Sequence, residues 1–203
     1  MLSQAEKGGV QNTIQNCVTD LQNDPVLADS IRLNLLSERI DIVKPMGWQR
    51  SGPTLTDTDM MYILRRMEKY GLYSEKRVSA AIRIVANENH YHPIRDYLND
   101  LKWDGTERIS HALHRFLGAA EDELTAEALK IFLLGAIKRV FHPGCKFEMM
   151  LCLVGGQGAG KSSFFRLLAI KDEWFSDDLR RMDDDNVFRK LQGHWIIEMS
   201  EMI

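Results

Sequence analysis

The sequence is poor in cysteine. Its three cysteines, Cys17, Cys145 and Cys152, are spread over 203 residues and form no CxxC pair. An odd, scattered set of this kind predicts neither a disulfide framework nor a zinc site, and it favours a reducing compartment such as the cytoplasm.

Long hydrophobic runs and excess charge are also absent from the sequence. No stretch approaches the roughly 18 consecutive apolar residues of a membrane span, and the polar residues 1–12 lack the apolar core of a signal peptide. We therefore expect no membrane association. The formal net charge is -3, which is unlike the strongly basic surface of a DNA-binding module. DNA contacts are thus expected from local patches, or mostly from residues beyond this chain.

Over residues 1–145 the apolar residues recur mainly with helical periodicity. Asp24-Pro25 predicts a helix start, with Asp as the cap and Pro in the first turn. Residues 39–43 alternate like a short strand. Thr56 followed by Asp59 predicts a further helix start, close to a capping box.

Local signals place the later helix boundaries. Gly71 should end the helix that starts at Thr56, and Ser74 should begin another. His92-Pro93 should interrupt the helical pattern, and His142-Pro143-Gly144 should end it. The helices predicted in between span 94–101, about 106–117 and about 122–141.

The pattern changes near Glu148. Residues 149–154 are continuously apolar and predict a strand buried on both faces, as in a parallel sheet. A glycine-rich loop follows, then a helix near Lys161, a short helix ending near Gln192 and an apolar strand over 194–199. This order predicts an α/β fold, with a helical N-terminal region (1–145) and an α/β domain (146–203) whose two strands are neighbours in one sheet.

The glycine-rich loop matches the motif GxxxxGK[ST] over Gly155–Ser162. Glycines let the backbone wrap closely around a phosphate, and the following helix N-terminus adds partial positive charge. In this motif Lys161 reaches the β- and γ-phosphates, and the Ser162 hydroxyl ligates Mg²⁺. The predicted ligand is a nucleoside triphosphate, ATP, with Mg²⁺. The residues predicted to bind it are Gly155, Gly156, Gln157, Gly158, Ala159, Gly160, Lys161, Ser162 and Ser163.

Such a loop requires an acidic partner at the end of a neighbouring strand. Glu198 and Glu201 follow the apolar residues 195–197. Neighbouring strand residues point to opposite faces of a sheet, so the carboxylates of Glu198 and Glu201 need not lie on the same face. Both are candidates for the metal ligand and, with Lys161, for the catalytic group.

Several sequence segments around the motif resemble those of the virulence-associated protein E family of phages and mobile genomic islands. They lie at 91–98, 101–105, 139–147, 155–165, 174–179 and 191–201. The resemblance covers about residues 25–203. It implies a P-loop domain of the AAA+ class, similar to superfamily 3 helicases and poxvirus-type primase-helicases.

The resemblance also implies a function. It predicts the N-terminal portion of an ATP-dependent, helicase-like ATPase of the bacterial cytoplasm, acting on DNA in mobile-element replication as a homo-oligomeric ring. In related primase-helicases the acidic residue of the second motif follows a small residue, as Glu201 follows Ser200, so we favour Glu201 over Glu198 as the catalytic acid. The usual Asp-Glu pair is missing, which leaves the division of roles between the two open. The family's sensor, arginine finger and DNA hairpin are expected after Ile203, so we expect these 203 residues alone to be nearly inactive and their α/β domain to be incomplete.

Two other functions fit the same sequence. One is a non-catalytic module that binds DNA or protein through its helical region and only senses nucleotide. The other, weaker for lack of a visible substrate lid, is a small-molecule kinase. ATP hydrolysis stimulated by single-stranded DNA would separate the helicase from the sensing module.

The remaining conspicuous residues favour structural roles. His90/His92 and His111/His114 lack a third ligand nearby in sequence, so surface roles are favoured over metal binding. Helix capping and solvation are favoured for Asp183–Asp185. Solvated faces are favoured for the basic pairs Arg65-Arg66, Lys138-Arg139 and Arg180-Arg181. Packing is favoured for Trp103, Trp174 and Trp195.

Overall fold

The computed structural model describes residues 10–179 and 186–200 and divides the chain into two compact units, Met1–Pro93 and Ile94–Ile203. The predicted boundary after residue 145 falls inside the second unit. The fold is α/β, with about half of the residues helical and only small sheets, one of them parallel.

The described helices follow one another as α1 (Ile14–Asn23), α2 (Asp57–Met67), α3 (Glu75–Glu88), α4 (Pro93–Asp100), α5 (Ile109–Leu117), α6 (Glu123–Phe141), α7 (Lys161–Leu168) and α8 (Val187–Leu191). Short 3-10 turns lie at Glu68–Tyr70 and Asp172–Trp174. The strands are β1 (Ile31–Asn34), β2 (Arg39–Ile42), β3 (Phe175–Ser176) and β4 (Ile196–Ile197). No described helix is long and apolar enough to cross a membrane.

The first unit packs α1 and the β1–β2 hairpin against α3. The hairpin is antiparallel and pairs Ile31 with Ile42. The core of the first unit includes Leu21, Ile63 and Ile82, each almost fully buried. Burial of such side chains contributes about 1.5–3 kcal/mol each.

Most predicted helix boundaries in this unit are confirmed. Thr56 and Asp59 form a reciprocal capping box at the start of α2. Gly71 ends the following 3-10 turn with φ of 78°, a left-handed conformation that favours glycine. Ser74 is the N-cap of α3, and β2 coincides with the predicted strand at 39–43.

The helix start predicted at Asp24-Pro25 is wrong. Helix α1 ends at Asn23, and residues 25–30 form turns. An Asp24 carboxylate oxygen accepts the backbone N–H groups of Val26 and Leu27. The sequence signal for a cap was therefore real, but it stabilises a turn that leads into β1 rather than a helix.

The second unit contains α4–α8 and the parallel pair β3–β4. Phe175 pairs with Ile196, and Ser176 pairs with Ile197. Helix α7 contacts both strands. Helix α5 packs on α6, and Leu113, Leu129 and Phe164 form the centre of a core.

The prediction of a buried strand over residues 149–154 is wrong. These residues have no regular secondary structure, and Met149, Met150 and Val154 are exposed. Only Leu151 and Leu153 pack, half-buried, against the core that contains Phe164. The continuous apolar run could not show which strand would pair with it, and within the described residues no ladder forms.

Candidate functional site

The glycine loop, defined as Gly155–Gly160, ends directly at the N-terminus of α7. Gly158 and Gly160 have φ of 80° and 82°, which side chains with a Cβ rarely adopt, so glycine is required there for backbone conformation. Gly160 is also the N-cap of α7, and its carbonyl accepts the N–H of Phe164 at 2.9 Å. The loop geometry is thus built into the helix start.

Gly155 and Gly156 need another explanation. Their φ values lie outside the left-handed range, and a Cβ built on either residue would meet no atom within 4 Å. Neither backbone conformation nor protein packing therefore requires glycine at these two positions. The absence of side chains leaves the backbone of this part of the loop open to close approach by a ligand.

Lys161 folds back over the loop. Its Nζ donates to the carbonyl oxygens of Gly155 and Gly156, at 2.8 and 2.9 Å. The ammonium group therefore lies over the same backbone that the two glycines leave open. Because the side chain is flexible and its bonds are to exposed carbonyls, a stronger anionic acceptor could replace them.

Ser162 and Glu198 meet across 36 residues of sequence. The Ser162 Oγ donates to Glu198 Oε1 at 2.7 Å, and the Ser200 hydroxyl donates to the same oxygen at 3.4 Å. The second oxygen, Glu198 Oε2, is buried and has no hydrogen-bond partner in the described part of the chain. A buried carboxylate oxygen without a partner is costly, and a bound cation would satisfy it.

The parallel pair brings Glu198 to this place. The Glu198 N–H donates to the Ser176 carbonyl at 2.8 Å, and the Trp195 N–H donates to the Trp174 carbonyl at 2.8 Å. These bonds extend the β3–β4 pairing by one residue at each end. Because α7 contacts both strands, its first turn lies near the end of β4, where Glu198 follows.

Arg166 links α7 to β3, a role that the sequence did not indicate. Its guanidinium lies 5.1 Å from the centroid of the Phe175 ring and within ion-pair distance of Asp172 and Asp177, at 3.8 and 3.6 Å. These residues follow α7 in sequence with no periodic relation to Arg166. Only the folded chain identifies them as its partners.

The other predicted site residues are distributed as follows. Glu201, the favoured catalytic residue, lies outside the described residues, as do Asp183–Asp185 and Arg180-Arg181. Gln157, Ala159 and Ser163 are exposed in the loop and the first turn of α7.

The histidine pairs form no metal centre in the described residues. His111 Nδ1 lies 3.0 Å from Glu121 Oε1, and His114 Nδ1 lies 2.8 Å from the Ala119 carbonyl oxygen. His90 Nδ1 lies 2.9 Å from the Asn87 carbonyl oxygen. These are local contacts at the surface of the chain.

Two predictions about packing and charge need correction. Trp174 and Trp195 pack edge to face, 6.3 Å apart, but Trp103 is 83% exposed, so its predicted packing role is wrong. Arg66 is not on a solvated face: its Nε donates to the buried Asp24 carboxylate at 2.6 Å.

The second unit carries the sequence similarity to known proteins. Residues 98–203 match the model of the Virulence-associated protein E-like domain. No curated protein shows significant similarity to the chain. The match spans α5–α8, the glycine loop, Ser162 and Glu198, and it covers more than half of the 203 residues. The chain therefore belongs to the virulence-associated protein E-like domain family.

Proposed function

We propose that this chain binds ATP with Mg²⁺ at the glycine loop, as part of an ATPase that drives a helicase in the replication of a phage or mobile genomic island. The observation that carries the proposal is the 2.7 Å contact between Ser162 Oγ and Glu198 Oε1 at the N-terminus of α7. A hydroxyl and a carboxylate held together beside an open glycine loop are the ligands that Mg²⁺ takes alongside phosphates.

The loop supplies the phosphate contacts in this proposal. The open backbone at Gly155 and Gly156 leaves room for phosphate oxygens, and the first-turn N–H groups of α7 favour negative charge. The Lys161 ammonium would exchange its two carbonyl acceptors for phosphate oxygens. Phosphate oxygens carry negative charge, so the ammonium would gain a charge–charge attraction that the neutral carbonyl oxygens do not provide.

Ser162 and Glu198 form the metal side. Glu198 Oε2, which has no hydrogen-bond partner among the described residues, is the atom that a cation would satisfy. A bound Mg²⁺ would neutralise charge on the β- and γ-phosphates. We assign Glu198 to this side because its carboxylate is already bonded to the Ser162 hydroxyl.

Hydrolysis forms a bond from a water oxygen to the γ-phosphorus and breaks the bond to ADP, and a carboxylate accepts the proton of the water. We assign proton acceptance to Glu201, the residue favoured from sequence. The helicase role rests on the resemblance to primase-helicases and on the family membership, and the DNA contacts and ring assembly remain proposals with it.

The test is titration calorimetry of the chain with ATP and Mg²⁺. Lys161→Ala should weaken ATP binding by at least about tenfold, since hydrogen bonds to charged groups contribute about 1.5–3 kcal/mol each. Lys102→Ala is the matched control, because Lys102 is exposed in the same unit and should leave affinity unchanged. Equal ATP affinity in the wild type and Lys161→Ala would sink the proposal.

The same titration separates the two carboxylates. Glu198→Gln should weaken ATP binding in Mg²⁺ but not in EDTA. Glu201→Gln should preserve binding in both. In the larger ATPase of which this chain is proposed to be part, the same substitution should reduce the turnover stimulated by single-stranded DNA. A reversed pattern would exchange the two assignments.

A further inference from the structure

Helix α6 contains a glycine where a helix former would be expected. Gly135 lies in the middle of α6 and is buried, although glycine destabilises a helix interior by about 0.5–1 kcal/mol relative to alanine. A methyl group built at this position would overlap the Phe147 ring. The missing side chain therefore forms the notch into which Phe147 packs.

Arg139, one turn further along α6, holds the backbone of the same residue. Its Nη2 donates to the Phe147 carbonyl oxygen at 3.1 Å. The side chain and the carbonyl of Phe147 are thus both fixed on α6. Leu151 and Leu153 then pack against the core, and the glycine loop follows at Gly155.

The same turn of α6 also holds β4. The Trp195 indole N–H donates to the Ala136 carbonyl oxygen at 3.2 Å, a contact across 59 residues of sequence. The Trp195 ring meets the edge of Trp174 at 6.3 Å. Ile196 and Ile197 then pair with β3 and lead directly to Glu198.

We propose that the Gly135–Arg139 turn of α6 sets the position of the glycine loop relative to Glu198, with Phe147 and Trp195 as the two positioning residues. The turn holds the segment that enters the loop on one side and the strand that ends at Glu198 on the other. The inference rests on the proposed function, because it assigns these residues to the ATP and Mg²⁺ site. It identifies two residues outside the glycine motif whose loss should alter that site.

Trp195→Phe tests the side that leads to Glu198. Phenylalanine keeps an aromatic ring against Trp174 but cannot donate to Ala136. We expect ATP affinity in Mg²⁺ to fall by about tenfold, the low end of the losses that follow removal of a group supporting a metal ligand. Affinity in EDTA should change by less than about twofold, within the effect of a typical surface substitution. Trp103→Phe, at an exposed tryptophan, is the matched control.

Gly135→Ala tests the side that leads to the loop. Alanine favours the helix, so any loss of affinity comes from displacement of Phe147 and not from helix propensity. We expect weaker ATP binding both in Mg²⁺ and in EDTA. The double variant Gly135→Ala/Phe147→Leu, whose smaller side chain leaves space for the methyl group, should recover most of the lost affinity.

Hydrogen exchange without nucleotide provides a readout that does not depend on ATP binding. Trp195→Phe should speed exchange of the amides at 196–198, where the Glu198 N–H donates to the Ser176 carbonyl, while α5 remains protected. Unchanged exchange at 196–198 would overturn the inference, even if the wild type binds ATP. If the wild type binds no ATP, the proposed function fails, and the exchange result alone decides whether the turn supports β4.

Discussion

At the scale of single residues, two buried carboxylates of the first unit, Asp59 and Asp20, have pKa values shifted in opposite directions. Asp59 accepts hydrogen bonds from Trp48 Nε1 and Arg50 Nε, at 2.7 and 2.8 Å, and from Thr56. Burial alone would raise its pKa, but the bonds from Arg50, Trp48 and Thr56 outweigh burial and lower the pKa to about 2. This carboxylate is stabilised in its charged form.

Asp20 has the opposite environment. It is buried in α1, and its Oδ2 has no hydrogen-bond partner among the described residues. The nearby Arg66 bonds instead to Asp24. Burial, and then repulsion from Asp24, raise the pKa of Asp20 to about 6, although Arg66 partly offsets them.

The raised pKa predicts how stability changes with pH. The folded state holds a proton on Asp20 that the unfolded chain, with a pKa near 4, releases earlier. Between about pH 4 and pH 6 this group's contribution to stability therefore falls as pH rises. Asp20→Asn should remove that loss, so that the variant gains about 1 kcal/mol over the wild type at pH 8, after allowance for solvent screening, and little at pH 4.

Urea unfolding of both proteins at pH 4 and pH 8 measures this difference. Asp29→Asn is the matched control, because Asp29 has a positive φ of 55°, which asparagine also tolerates, and its side chain is 83% exposed. An Asp20→Asn variant whose stability followed that of the wild type at both pH values would contradict the prediction.

At the scale of elements, the capping of α2 can be tested in isolation from packing. The Thr56 side chain accepts the Asp59 N–H, and the Asp59 carboxylate accepts the Thr56 N–H. Thr56→Ala should destabilise the protein by about 1 kcal/mol, the usual cost of losing an N-cap side chain. Thr58→Ala, an exposed threonine in the same first turn, should change stability by less than about 0.5 kcal/mol.

The measurement is urea unfolding at neutral pH, followed by circular dichroism. Both variants remove the same atoms, but Thr58 lies inside α2, where alanine has the higher helix propensity, so Thr58→Ala should not lose stability. Equal losses would mean that the cap contributes nothing beyond an ordinary surface threonine.

Elements were predictable from the sequence where their signals are local. The Thr56 cap, Gly71, Ser74 and the break at His142–Gly144 each act within a few residues, and the structure contains the corresponding boundaries. Strand β1 and the residues 149–154 were not predicted correctly. Strand assignment depends on a pairing partner elsewhere in the chain, and neither periodicity nor apolar content identifies that partner.

At the scale of the whole molecule, the two units should respond differently to ligand. A ligand that binds only the folded state stabilises it by about 2.7 kcal/mol at 100 times its Kd. Under the proposed function, ATP with Mg²⁺ should therefore slow hydrogen exchange in α7 and β4. Exchange in α1 and α3, which belong to the first unit, should remain unchanged.

Hydrogen exchange followed by mass spectrometry, with and without ATP and Mg²⁺, tests this expectation. Lys161→Ala under the same conditions should show no slowing, which separates binding at the loop from a general effect of the solution. Slowing in α1 or α3 of the wild type would contradict a site confined to the second unit.

The sequence by itself determined the glycine loop with Lys161 and Ser162, most helix boundaries and the resemblance to the family to which the chain belongs. These features depend on residue types at fixed local spacing, which folding does not alter. Only the tertiary structure brought the Glu198 carboxylate to the Ser162 hydroxyl, across 36 residues. Glu201, favoured from the sequence as the catalytic acid, lies outside the described residues. The tertiary structure also seated Phe147 against Gly135 and paired Arg66 with Asp24. Contacts at such separations depend on how helices and strands pack, and linear spacing carries no record of them.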